Sequence, residues 1–155
     1  MTNETALRAM LARDQGEALW FFGSLTVIKA DGDRYALAEQ LFPLGIETPL
    51  HVQPEDDETF YVLEGEVTFF AGEDRARASV GSVVHVPSGT PHGFRIESQT
   101  ARMLVVTTPQ HLAFFRAVGD PTPERTLPPP AEPDMDRVMA AAADYKIDIR
   151  GPLPT

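Results

Sequence analysis

Cysteine is absent from this 155-residue chain. Disulfides and thiol chemistry are therefore excluded, and any bound metal must be held by nitrogen and oxygen donors. No apolar run approaches the roughly 20 residues that a membrane-spanning helix requires. The opening residues, MTNETALRAMLARDQGE, lack the basic start and apolar core of a secretion signal, so a cytoplasmic location is expected. Positive charge is scarce. Thirteen Lys and Arg against 23 Asp and Glu give a formal net charge of -10 and a sequence pI of about 4.7. Such a surface repels phosphate backbones and anionic headgroups, so neither nucleic acid nor membrane is an expected partner.

What is present reads as one soluble globular domain. Hydrophobic residues make up 43% and charged residues 23%, an ordinary balance, and the length buries enough apolar surface to need no staples. A short helix is expected in NETALRAMLARD, with Leu7, Met10 and Leu11 on one face. From Ala18 the pattern turns to strands. Two β-rich runs flank ADGD, where Asp31-Gly32 is a hairpin signal. Short alternating runs and turns then recur to Thr108, with no helix-length pattern between them. That is the signature of a β-sandwich or barrel.

Helices are expected only afterwards. Thr108 is a candidate N-cap followed by Pro109, and Gly119 lies past the end. Leu112, Phe115 and Val118 would face the barrel. DPTPERTLPPPAEPD is proline-rich and reads as an extended strap. DMDRVMAAAADYKI reads as a second helix with Met135, Val138, Met139 and Ala142 on one stripe. The chain thus divides into an N-terminal segment over 1–17, a barrel over 18–108, and C-terminal helices with a strap over 109–155.

The chemistry concentrates in HVQPEDDETFYVLEG and PSGTPHGF. A strand sends alternate side chains to one side. His51 pointing inward takes Gln53 with it, and Glu58 inward takes Phe60 and Val62. The second stretch is a tight turn that delivers His92 to the start of a strand shared with Phe94 and Ile96. Two histidines and a carboxylate converging in an apolar barrel form a facial-triad set with open positions. Asp57 is the fallback ligand if the register slips by one. Phe60, Phe94 and the run Trp20 to Phe22 are core residues first and pocket wall second, with Val62 placed on the same wall. His85 is expected to be a satisfied or surface histidine, and His111, on the first turn of a helix, to be exposed.

These stretches resemble the two motifs of the cupin superfamily. GIETPLHVQPEDDETFYVLEG carries Gly45, His51, Gln53, Glu58 and Gly65 at the first motif's spacing. GSVVHVPSGTPH carries Gly81, Pro87, Gly89 and His92 at the second's, while the usual asparagine four residues on is Ile96. The chain is similar to single-domain bacterial cupins that resemble quercetin dioxygenases. The resemblance implies an all-β fold, a single jelly-roll barrel with short C-terminal helices. It also implies a divalent transition metal (iron, nickel, manganese or zinc) at His51, Gln53, Glu58 and His92. Gln53 stands where the family has histidine. Its amide oxygen is a weaker ligand than imidazole, able to coordinate or to hydrogen-bond to a metal-bound water.

The expected function is that of a small metalloenzyme acting on a largely apolar oxygenated substrate in a pocket walled by Phe60, Val62 and Phe94. Quercetinase-like dioxygenation is the first reaction considered, with Glu58 as ligand or catalytic base. A non-redox cyclase or isomerase is one alternative. A metal-free or weakly metallated small-molecule-binding cupin is the other. A homodimer is expected, because the N-terminal strands offer an edge for pairing.

Overall fold

The computed structural model describes residues 10–155. The helix expected over NETALRAMLARD lies mostly outside them, and residues 10–14 form no helix. Ten strands come first: β1 (Glu17–Phe21), β2 (Ser24–Asp31), β3 (Ala36–Pro43), β4 (Leu50–Val52), β5 (Glu58–Glu64), β6 (Val67–Ala71), β7 (Asp74–Ala78), β8 (Val83–Val86), β9 (His92–Ile96) and β10 (Thr100–Thr107). Helix α1 (Pro109–Val118), the short β11 (Asp120–Pro121), helix α2 (Met135–Asp144) and β12 (Asp148–Gly151) complete the order. Among the described residues no helix is long and apolar enough to cross a membrane.

The strands form two antiparallel sheets, ordered β11-β1-β2-β3-β10-β5-β8 and β12-β4-β9-β6-β7. Alternation explains the packing. Along β5, Glu58, Phe60 and Val62 are buried while Thr59, Tyr61 and Leu63 are not. Along β3, Ala36, Ala38, Gln40 and Phe42 point inward. The inward rows of both sheets meet in one cluster that includes Phe42, Phe60, Val62, Phe69, Phe94 and Met103. This is the expected all-β jelly roll. A second cluster joins Leu19, Ile28 and Ala38 to Leu112, Phe114 and Phe115 of α1 and Val138 and Ala142 of α2. The helices therefore close one end of the barrel.

The structure corrects several expectations. Residues 18–43 hold three strands, not two. The extra hairpin turns at Phe22 and Gly23, both with positive φ (49 and 77), so it needs no Asn-Gly signal. The hairpin near Gly32 forms as well, with a longer connection closed by Gly32 N–H donating to the Tyr35 carbonyl. The second helix buries Val138, Ala141 and Ala142, while Met135 and Met139 stay exposed. The chain's last strand, β12, adds itself to β4 beside His51. The outer edge of β1 is covered where Leu19 and Trp20 pair with β11, so it is not the open edge expected for a dimer.

Candidate metal centre and pocket

His51 and His92 lie on neighbouring strands, paired directly across the β4–β9 ladder, with ring centroids 4.3 Å apart. Glu58 reaches them from the opposing sheet, at the start of β5. Its carboxylate is 4% exposed and His92 is 3% exposed. One nitrogen of each ring is committed to the backbone. His51 Nδ1–H donates to the Pro49 carbonyl and His92 Nδ1–H to the Thr90 carbonyl, each at 2.8 Å. A carbonyl can only accept, so in each ring Nε2 is the nitrogen left to offer a lone pair. Burial, with His92 nearby, pushes the His51 pKa down to about 4, which keeps that ring neutral at pH 7.

His111 was expected at the surface; it is buried, 5% exposed. Its Nε2–H donates to Glu58 Oε1 at 2.7 Å, and its Nδ1 accepts from Gln53 Nε2–H at 3.1 Å. Gln53, itself 1% exposed, then turns its amide oxygen to within 3.2 Å of His51 Nε2. The other Glu58 oxygen lies 3.1 Å from His92 Nε2. Burial alone would raise the Glu58 pKa. The two buried imidazoles beside it, with the His111 hydrogen bond foremost, outweigh it and hold the carboxyl well below the usual carboxylate range.

Two pairs of acceptor atoms thus face each other: His51 Nε2 with Gln53 Oε1, and His92 Nε2 with Glu58 Oε2. Only a cation, a proton or a metal ion, satisfies such pairs. Ligand atoms of His51, Glu58 and His92 all lie within 4.8 Å of one another. The nitrogen and oxygen donors, with each histidine oriented through its second nitrogen, fit a divalent transition metal. His111 stands outside that group and holds one of its members, Glu58, together with Gln53.

The acids ahead of β5 tie the constellation to its surroundings. Glu55 pairs with Lys146 at 2.9 Å. Asp56 accepts from the Thr108 hydroxyl, and Thr108 Oγ1 in turn accepts from His111 N–H as the N-cap of α1. Asp57, the fallback ligand, is exposed and accepts instead from Ser88 N–H at 2.7 Å in the turn before His92. Gly89 in that turn has φ 82 and donates its N–H to the Gln53 carbonyl at 2.9 Å. The loop over 53–58 therefore bolts both motifs and the start of α1 to one piece of backbone.

The centre opens on a cavity at the junction of the two hydrophobic clusters. Phe21, Phe22, Phe42, Phe60, Phe94, Phe114 and Phe115 line it, with Val138, Ile147 and Ile149 from the C-terminal segment. Val62, expected on this wall, is fully buried in the barrel core and does not line the cavity. Trp20 is also off the wall; its indole N–H donates to the Thr126 carbonyl and ties down the proline-rich strap. His85 is exposed and bonded to Thr59 at 2.9 Å. Among the described residues no lysine or arginine lines the cavity. The signal for His111 was helix periodicity. With Thr108 as N-cap, His111 shares a face with Phe114, Phe115 and Val118, all buried.

Sequence and structure comparisons point to one family. A cupin-domain family model matches residues 38–107. The quercetin 2,3-dioxygenase of Bacillus subtilis is 32% identical over 111 residues, 68% of this chain and 32% of that protein. The chain spans between about a third and a half of the length of the curated relatives it matches. The crystal structure of TT1209 from Thermus thermophilus is 34% identical, with a TM-score of 0.50, covering 64% of this chain and 90% of that one. An RmlC-like cupin from Shewanella frigidimarina shares the fold, at TM-score 0.58 and 17% identity over 65% of this chain and 91% of that one. The chain belongs to the cupin superfamily.

Proposed function

We propose that the chain is a metal-dependent cupin enzyme acting on a small, largely apolar oxygenated substrate, with quercetinase-like dioxygenation the first reaction to test. The observation that carries this is the convergence of His51 Nε2, His92 Nε2 and the Glu58 carboxylate on one point at the wall of a phenylalanine-lined cavity. Iron, nickel, manganese or zinc held there would supply Lewis acidity toward an enol oxygen, and the redox-active members would add access to dioxygen chemistry. The phenylalanine walls exclude water and take flat apolar rings. The want of cationic side chains on the cavity wall disfavours phosphorylated or dicarboxylate substrates, which need charged partners when buried. The His111 N–H that donates to Glu58 Oε1 at 2.7 Å holds that carboxylate ionised, which suits it to the ligand role.

The similarity to a quercetin 2,3-dioxygenase supports the same reading. The test is metal analysis of protein purified without affinity histidines, followed by oxygen-electrode assays with a flavonol. About one equivalent of metal and flavonol-dependent oxygen uptake are expected. Turnover without oxygen uptake would point to a cyclase or isomerase.

One observation favours a second reading, a metal-free binding module. Gln53 replaces a motif histidine, and its amide already bridges His51 and His111. Ligand binding with no metal content would decide for it. A cytoplasmic homodimer is proposed as well. An outward apolar row, Leu104, Tyr61 and Val83, crosses β10, β5 and β8, and sedimentation of the purified chain tests the dimer.

A further inference from the structure

Gln40 is a polar side chain in an apolar row. On β3 it points inward between Ala38 and Phe42, is 3% exposed, and lines the same cavity as the metal centre. Nothing in the proposed metal chemistry uses it. Its hydrogen bonding is fixed by a short relay. Ser24 Oγ–H must donate to the Phe21 carbonyl at 2.6 Å, because a carbonyl cannot donate. The Ser24 hydroxyl has one proton, so the Thr26 hydroxyl donates to Ser24 at 2.8 Å. Thr26 Oγ1 then accepts from the amide nitrogen of Gln40 at 3.1 Å. The relay pins the Gln40 nitrogen against β2 and turns the carbonyl oxygen away. Among the described residues that oxygen has no protein donor. It is not sealed in the core either, since the one buried side-chain polar atom without a partner there is Arg102 Nε.

The relay ends at a hairpin tip that is itself unusual. Phe22 adopts φ 49 at the first position of the two-residue turn, where glycine, asparagine or aspartate is favoured. Left-handed backbone is sterically disfavoured for a phenylalanine. The turn nevertheless keeps the ring at the cavity wall beside Phe21. Gln40 and Phe22 therefore form a second, built end of the pocket. The register places Gln40 away from the metal centre. Gln40 is level with Val62 through Met103, four residues from Glu58, about 13 Å along the strand direction.

We propose that Gln40 is a specificity-determining residue whose amide oxygen accepts a hydrogen bond from a phenolic hydroxyl on an aromatic ligand, at the end remote from the metal-binding oxygen. The inference rests on the apolar-substrate reading above. An uncharged acceptor suits a neutral hydroxyl, and the unmet acceptor penalises a ligand that lacks one.

Two probes test it: a flavonol without further hydroxyls, and its analogue with one hydroxyl on the pendant phenyl ring. Both are titrated by fluorescence into the purified protein, with zinc and with chelator. The native protein should bind the hydroxylated probe about 5-fold more tightly, as one net hydrogen bond allows. In Gln40→Leu the ratio should fall to about one. Thr26→Val, which frees the amide to rotate, should give an intermediate ratio, and thermal melts verify that both variants fold. An unchanged preference in Gln40→Leu, or equal affinities in the native protein, overturns the role of Gln40 while leaving the substrate class intact. Failure of both probes to bind overturns the role together with the substrate class.

Discussion

The amide nitrogen of Gln53 lies 3.1 Å from Nδ1 of His111, a residue 58 positions away on the first turn of α1. That bond decides which way the amide faces. The nitrogen is taken by His111, so the oxygen is presented to the centre beside His51 Nε2. A ligand position that carries an amide in place of an imidazole is thereby given one fixed orientation by a histidine from outside the two motifs.

His111 substitutions should separate its two contacts. His111→Phe loses both and should weaken zinc or nickel binding by about 10- to 100-fold, the range typical when a partner behind a ligand is removed. His111→Asn keeps an acceptor near Nδ1 for Gln53, whereas His111→Gln keeps a donor near Nε2 for Glu58. Each should recover part of the affinity in chelator competition. Wild-type affinity in His111→Phe would show that the contacts do not orient the ligands.

Gln53→His should complete a three-histidine, one-carboxylate set. Imidazole is the better donor for a transition metal, so affinity should rise by about 10-fold or more at constant pH. Gln53→Ala should lower turnover more than metal content. Equal affinities for wild type and Gln53→His in the same competitive titration would contradict a Gln53 facing the ion.

The metal-free protein should be acid-labile. His51 has a pKa of about 4 in the folded chain against 6.5 for the free side chain. Between those values the unfolded chain binds a proton that the folded chain refuses. Stability is therefore highest above pH 6.5 and falls as the pH drops toward 4, by on the order of 3 kcal/mol from this residue. Glu58, held low, adds a loss that begins near 4.5, as the unfolded carboxylate protonates. Urea midpoints of the chelated protein at pH 7.5 and 5.0 measure the slope. His51→Phe should flatten it, and an unchanged slope in that variant would refute the assignment.

Asp56→Ala should unlatch α1 from the motif loop. Asp56 is buried and accepts from the half-buried Thr108 and Gln110, so the change leaves their donors without this partner and should destabilise the fold by about 1 kcal/mol. Zinc affinity should fall with it, because His111 rides on the same turn. Loss of stability with no change in zinc affinity would show that the latch does not align the centre.

Much of this is legible in the sequence because it is periodic or locally spaced. Alternation along β5 put Glu58, Phe60 and Val62 inward, and the glycine and proline turns set His92 at the head of β9. Capping chemistry at Thr108, Pro109 and Gly119 fixed α1 to the residue. The rest is long-range. His111 meets Gln53 and Glu58 only once α1 folds back over the barrel mouth, although its phase with Phe114, Phe115 and Val118 marked it as inward. The hairpin at Phe22 and Gly23 was hidden because phenylalanine is an unfavoured residue for that turn. The acids of EDDE carry no local signal of their partners, yet Asp56 and Asp57 each anchor a different segment. Val62 is inward as alternation requires, but it packs into the barrel core, whereas Phe60 on the same strand lines the cavity.

The central claim is that His51, Glu58 and His92 hold a divalent metal. Its most direct test is the metal content of the purified chain, measured beside His51→Ala and His92→Ala proteins whose folding is verified by circular dichroism. About one equivalent in the wild type and almost none in either folded variant is the predicted result. Wild-type metal content in both variants, or none in the wild type after incubation with iron, nickel, manganese or zinc, would contradict it.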